Sequence, residues 1–193
     1  MQSSTKQLPP PTAEEMLLDL RDTAYHEAGH AVMMKRFGGE GNALVWRNFS
    51  GDPTESAWRG QFGWWVCPEA KRNDAKSLGL PKIAVPKNWE VLFAAAGMVA
   101  EEIAAGIRDP RWVSENVYSR ILMDEASPTD LKSMGITDIY NFDADQIDRN
   151  IRQACRYLLQ DWALVRDEAE YLISFAQMPH SGYSANLKNF TYV

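Results

Sequence analysis

The chain has 193 residues, 45% apolar and 24% charged, and its 20 Lys+Arg against 26 Asp+Glu leave a net charge of −6. That size and balance fit one soluble folded domain, with or without a helical appendage, and exclude wholesale disorder. The acidic surface repels phosphate backbones, so no nucleic-acid partner is expected.

Residues 1–11 are polar and end in three prolines, which reads as a flexible N-terminal tail. A folded domain is expected over 12–176 and a C-terminal tail over 177–193. Thr12 with Glu15 makes a capping-box pattern. Helical periodicity follows through Met16, Leu17, Leu20, Ala24, Ala28, Ala31 and Val32, and Gly38-Gly39 stops it. Asp22-Thr23 is a second N-cap pattern, so one long helix or two consecutive ones fit.

Residues 43–49 and 61–66 read as strands on either side of a polar loop. Residues 67–87 carry Pro68, Gly79, Pro81 and Pro86 and read as loop with one short helical turn. Residues 88–106 read as a largely apolar, buried helix, and 107–127 carry no clear signal. A short helix is expected from Pro128 to about Met134. One or two amphipathic helices follow over 143–176, with Ile147, Ile151, Leu158, Leu164, Leu172 and Phe175 at core spacing. The expected fold class is therefore mainly α, with a small β-sheet in the N-terminal third and C-terminal helices.

Cys67 and Cys155 lie outside any CxxC motif and read as free thiols in a reducing compartment. The longest apolar run near mid-chain, Val91 to Ala100, is too short to span a bilayer. The first residues lack the apolar stretch of a signal peptide. A cytoplasmic location without a membrane span is the expectation.

Two of the three histidines fall in Tyr25-His26-Glu27-Ala28-Gly29-His30, an HExxH inside a predicted helix. Four residues is just over one turn, so both imidazoles project from one face and can reach one Zn²⁺ at about 2.0–2.1 Å. Glu27, one position round, can take a proton from a water at the metal without being a ligand. A bland alternative is a helix with two surface histidines. The small flanking residues Ala24, Ala28, Gly29 and Ala31, which admit close approach of another element, weigh against it. A catalytic zinc takes three protein ligands. No histidine follows closely, and His180 lies in a Pro/Gly/Ser-rich stretch, so Glu101, Glu102, Asp124, Glu125, Asp130 and Asp138 remain as candidates for the third.

The segment Thr23 to Val32 resembles the zinc motif of the FtsH-type peptidase domain, the M41 metallopeptidases. Ala96-Gly97-Met98-Val99-Ala100-Glu101-Glu102-Ile103 resembles that family's Gly-Gly-Arg-x-Ala-Glu-Glu helix. Ser127-Pro128-Thr129-Asp130-Leu131 resembles its Ala-Ser-Asn-Asp-Leu segment. The resemblance implies His26, His30 and Asp130 as zinc ligands and Glu27 as catalytic base. It implies Glu101 or Glu102 as the carboxylate orienting a ligand histidine. It also implies a substrate strand at 61–66, with Phe62, Gly63, Trp64 and Trp65 against an extended peptide and cleavage beside apolar or aromatic residues. As an alternative, Asp130 fits an acid in the first turn of a helix, and the tryptophans fit ordinary packing.

Met98 stands where the family has arginine, Ala96 where it has glycine, and no GxxxxGK phosphate loop occurs in the chain. The implied activity is a zinc-dependent endopeptidase, with one Zn²⁺ per chain, acting on peptides or unfolded protein segments. An ATPase acting in trans and a homo-oligomer are compatible with it. The competing expectation is a catalytically weak or inactive peptidase-like domain that binds zinc and protein partners.

Overall fold

The computed structural model describes residues 11–50, 52 and 54–177, so nearly all of the two expected tails, His180 included, lies outside the described residues. Helix α1, Ala13–Arg36, starts where the sequence places it. Thr12 Oγ1 accepts from the Glu15 amide (3.2 Å) while Glu15 Oε2 accepts from the Thr12 amide (2.7 Å). The helix runs unbroken through Asp22-Thr23. It ends at Gly38, whose φ of +81° lets the Gly39 amide fold back onto the Met34 carbonyl at 3.0 Å.

Strands β1, Glu40–Arg47, and β2, Trp58–Val66, form a two-stranded antiparallel sheet with Val45 opposite Gly60 and Ala43 opposite Phe62. Both strands begin three residues earlier than the sequence pattern suggests, and β1 ends two residues earlier. Both lie against α1.

Helix α2, Pro68–Ser77, replaces the expected loop with its single turn. Its start is specified by Pro68 at the first position and by Cys67 Sγ accepting from the Ala70 amide (3.4 Å). It buries only Pro68 and Ala75, so an apolar stripe was never there to be read. Helix α3, Trp89–Ala104, is buried along almost its whole length, from Leu92 through Ala94–Ala100 to Ile103. The unassigned stretch contains α4, Pro110–Leu122, capped by Asp109 on the Arg111 amide (2.8 Å). Val113, Val117 and Ile121 form its buried stripe. Helix α5, Pro128–Ser133, has six residues.

Helices α6, Ala144–Gln160, and α7, Trp162–Ala176, break at Asp161. Val165 is fully buried and Leu164 is exposed, where the sequence reading favours Leu164; Ile151, Leu158, Val165 and Leu172, each seven residues on, form one buried stripe across the break. The architecture is mainly helical with a small sheet in the N-terminal third. The core forms where α1 crosses α3 and where α6 and α7 close over them. The free Cys155 lies inside it, and burial pushes its thiol up to about 11. No described helix is long and apolar enough to cross a membrane.

Candidate metal centre

Helix α1 passes α3 at very short range because both carry small residues at the crossing. A Cβ on Gly29 would lie 2.8 Å from the Ala100 Cβ, and one on Gly97 would lie 2.5 Å from the His26 ring. Glycine at these two positions lets the helices touch and leaves the imidazole room to stand upright between them.

His26 Nδ1 donates to Glu101 Oε1 at 2.5 Å, and His30 Nδ1 donates to the Phe93 carbonyl at 2.8 Å. Both acceptors lie on α3. With each Nδ1 engaged as a donor, both Nε2 atoms of the neutral rings are left as lone-pair donors to a cation. They face each other at 3.0 Å. Asp130, at the start of α5, completes the group: Oδ2 lies 3.2 Å from His26 Nε2 and Oδ1 lies 3.6 Å from His30 Nε2.

Among the described residues, His26, His30 and Asp130 form a group whose ligand atoms lie within 4.8 Å of one another. Three such atoms so close repel unless they share a proton or a metal ion. Tetrahedral coordination at about 2.0–2.1 Å sets neighbouring ligand atoms about 3.3–3.4 Å apart, and the observed 3.0, 3.2 and 3.6 Å straddle that value. The donor set thus fits a metal ion of the zinc type.

The electrostatics agree. Burial works against charge on His26, but the hydrogen bonds and charges of Asp130 and Glu101 outweigh it and push the ring up to about 10. Burial likewise opposes charge on Asp130 and Glu101. The two histidines hold Asp130 well below the usual carboxylate range, and His26 with Arg120 does the same for Glu101. Arg120 on α4 reaches Glu101 Oε2 at 2.8 Å and Glu102 Oε1 at 3.5 Å.

Glu101, then, is the carboxylate on the histidine. Glu102 instead accepts from Asn116 Nδ2 (2.8 Å). Of the other third-ligand candidates, Asp138 caps a turn through the Tyr140 amide (2.9 Å), and Asp124 and Glu125 sit on the wall of the neighbouring cavity.

Glu27 is 5% exposed, and its Oε2 has no hydrogen-bond partner. Burial, above all, pushes its carboxyl above the ordinary range. Strand β2 confines it, since a Cβ on Gly60 would fall 2.5 Å from Glu27 Cγ. A cavity of about 420 Å³ opens beside His26 and Glu27. From β2 it takes Trp58 and Gly60. Phe62 packs on Phe93 (ring centroids 5.4 Å apart), and Trp64 stands edge-on to Trp89 (6.2 Å). Trp65 lines a separate cleft of about 660 Å³ between α1, β1 and α7, and the space above Gly63 is open.

Arg120, Gly60 and the carboxylates Asp19 and Asp22 are not among the site residues to which the sequence points. For the two aspartates a signal existed, because Asp19, Asp22, His26 and His30 recur at helical spacing on one face of α1. No such signal marks Arg120. Comparison with models of known protein families finds no match to this chain, and comparison with curated proteins finds none either.

Proposed function

We propose that the chain is a zinc-dependent endopeptidase of FtsH-like type, acting on peptides or unfolded protein segments. The observation that carries this reading is the pairing of a three-ligand group with a buried, unpartnered carboxylate, Glu27, which follows the first histidine on the same helix. A site that only holds structure has no use for that carboxylate. His26, His30 and Asp130 would hold the ion, leaving a coordination position open. Zinc bound there supplies a Lewis acid that polarises the scissile carbonyl and makes water a competent nucleophile near neutral pH.

The protein's own groups do the rest. Glu101 and the Phe93 carbonyl fix both imidazoles in the tautomer that presents Nε2. Glu27, whose carboxyl burial raises above its ordinary range, takes the proton of the attacking water and returns it to the leaving amine. Gly60 keeps the β2 backbone against Glu27, so a peptide lying along that strand brings its carbonyl to the base.

The test is digestion of unfolded casein by zinc-loaded protein, beside Glu27→Gln. Wild type should cleave and chelator should stop it. The variant should keep about one zinc and lose at least about 10²-fold in rate. Cleavage by the variant at the wild-type rate refutes the role of Glu27. Zinc binding with no cleavage by either protein favours a zinc-binding domain without catalysis.

A further inference from the structure

Glu101 is held at both of its oxygens. Oε1 accepts from His26 Nδ1 at 2.5 Å, and Oε2 accepts from Arg120 Nη2 at 2.8 Å. The other terminal guanidinium nitrogen, Nη1, lies 3.5 Å from Glu102 Oε1, so the fork of Arg120 spans two carboxylates that follow each other on α3. These two side chains are only 15% and 12% exposed, and without a cation between them they repel. Arg120 itself rides on a fixed support. Val117 and Ile121, beside it on α4, are fully buried, and Ser114 Oγ of the same helix donates to Asp148 Oδ1 on α6 at 2.6 Å.

A carboxylate gripped at one oxygen still turns about its last side-chain bond, and an imidazole hydrogen-bonded to it turns with it. Gripped at both oxygens, it keeps one orientation, and a histidine that binds metal takes its own orientation from such a partner. We propose that Arg120 is a positioning residue for the metal centre, which acts through Glu101 to fix the plane of the His26 ring and the aim of its Nε2. The proposal rests on the metal-binding part of the reading above and not on hydrolysis. The planar, permanently charged guanidinium suits the task, because its fork sets direction as well as charge. A plain ion pair closing α4 onto α3 would use the same residue, and the two roles give different results.

The probes are Zn²⁺ and Co²⁺ alone, added to the whole chain. In Arg120→Met, zinc affinity by competition with a chelating dye should fall about tenfold, the lower end of what loss of such a partner costs. The visible bands of the cobalt-saturated variant should shift, because they report ligand geometry. Glu101→Ala should lose at least as much affinity. Arg120→Met added to Glu101→Ala should change affinity by less than about twofold, since a residue that acts through Glu101 then has nothing to act on. Asn116→Ala, which removes a partner of Glu102 alone, should bind zinc within about twofold of wild type. Arg120→Lys keeps a charge between the carboxylates, and with it the fold, but lacks the planar fork; it should bind zinc about threefold more weakly, with shifted cobalt bands.

Wild-type zinc affinity in folded Arg120→Met or Arg120→Lys overturns the proposal. So does an equal loss of affinity in Asn116→Ala, or additive losses in the double variant. Weaker binding with wild-type cobalt bands at saturation also overturns it, by reducing Arg120 to a stabilising contact. Wild-type protein that binds no zinc overturns the metal centre and this proposal together, whereas zinc binding without cleavage of casein counts against the peptidase alone.

Discussion

Gly97→Ala puts one methyl group where the His26 ring stands. The new Cβ would lie 2.5 Å from both Cε1 and Nε2 and 2.7 Å from Cδ2, against an ordinary contact beginning at 3.4 Å. The helices cannot separate to make room without opening the packed seam at Gly29 and Ala100. The ring must therefore retreat by about 0.9 Å, where a metal ligand tolerates about 0.2 Å. The same movement pulls Nδ1 off Glu101, a contact whose loss alone costs about 10–100-fold in metal affinity in comparable sites. A fall in zinc affinity of at least about 10²-fold is expected. The helix itself should not suffer, because alanine exceeds glycine in helix propensity by about 1 kcal/mol. Zinc affinity by competition with a chelating dye, read beside far-ultraviolet circular dichroism, makes the test. Wild-type zinc affinity in the variant would refute the placement of the His26 ring between α1 and α3. Loss of helicity together with zinc would show that the helices, not the ring, give way.

Gly60→Ala should leave zinc content intact and lower turnover, because its methyl displaces Glu27 and not a ligand; loss of zinc in this variant contradicts the assignment. Zinc binding at pH 7–8 should expel about one proton, since His26 in the metal-free protein titrates at about 10 and must become neutral to bind. Zinc affinity should therefore rise with pH up to that value, and calorimetry in buffers of different ionisation enthalpy counts the proton; a count of zero refutes it. Leu92→Ala, at a fully buried position of α3, should lower unfolding free energy by about 2–5 kcal/mol in urea titration; a change below about 0.5 kcal/mol would contradict its core placement.

What the sequence made legible is what short-range geometry determines. His26, Glu27 and His30 lie within five residues, so one helical turn brings them together whatever the rest of the chain does. Asp130 is 104 residues from His26, and only the path through α3 and α4 delivers it. The family resemblance pointed to it where spacing could not. Glu101 and Glu102 are neighbours in sequence but point about 100° apart on a helix, so only the packing of α3 on α1 chooses between them. The overlooked helix α2 is polar and is written in its cap rather than in an apolar stripe. Of the adjacent apolar pair Leu164 and Val165, it is Val165, seven residues from both Leu158 and Leu172, that continues the buried stripe across Asp161. The aromatic residues of β2 are legible as a strand, but Trp58 and Gly60 stand beside Glu27, while Trp64 on the same face lies farther along the strand against Trp89 and Trp65 lines the other cleft.

The metal group joins a long, deeply packed helix to a very short one. Helix α1 is anchored along its length, whereas α5 has six residues and no side-chain cap. One turn of helix has little stability of its own. Its attachment through Asp130 means that an ion bound there acts as a crosslink between two parts of the chain that would otherwise open independently. A ligand at about 100 times its dissociation constant stabilises the form that binds it by about 2.7 kcal/mol, roughly a hundredfold in the opening equilibrium. Amide hydrogen exchange around Leu131 and Met134 then becomes a gauge of metal occupancy, slowing as the site fills while the buried amides of α3 report only the global fold.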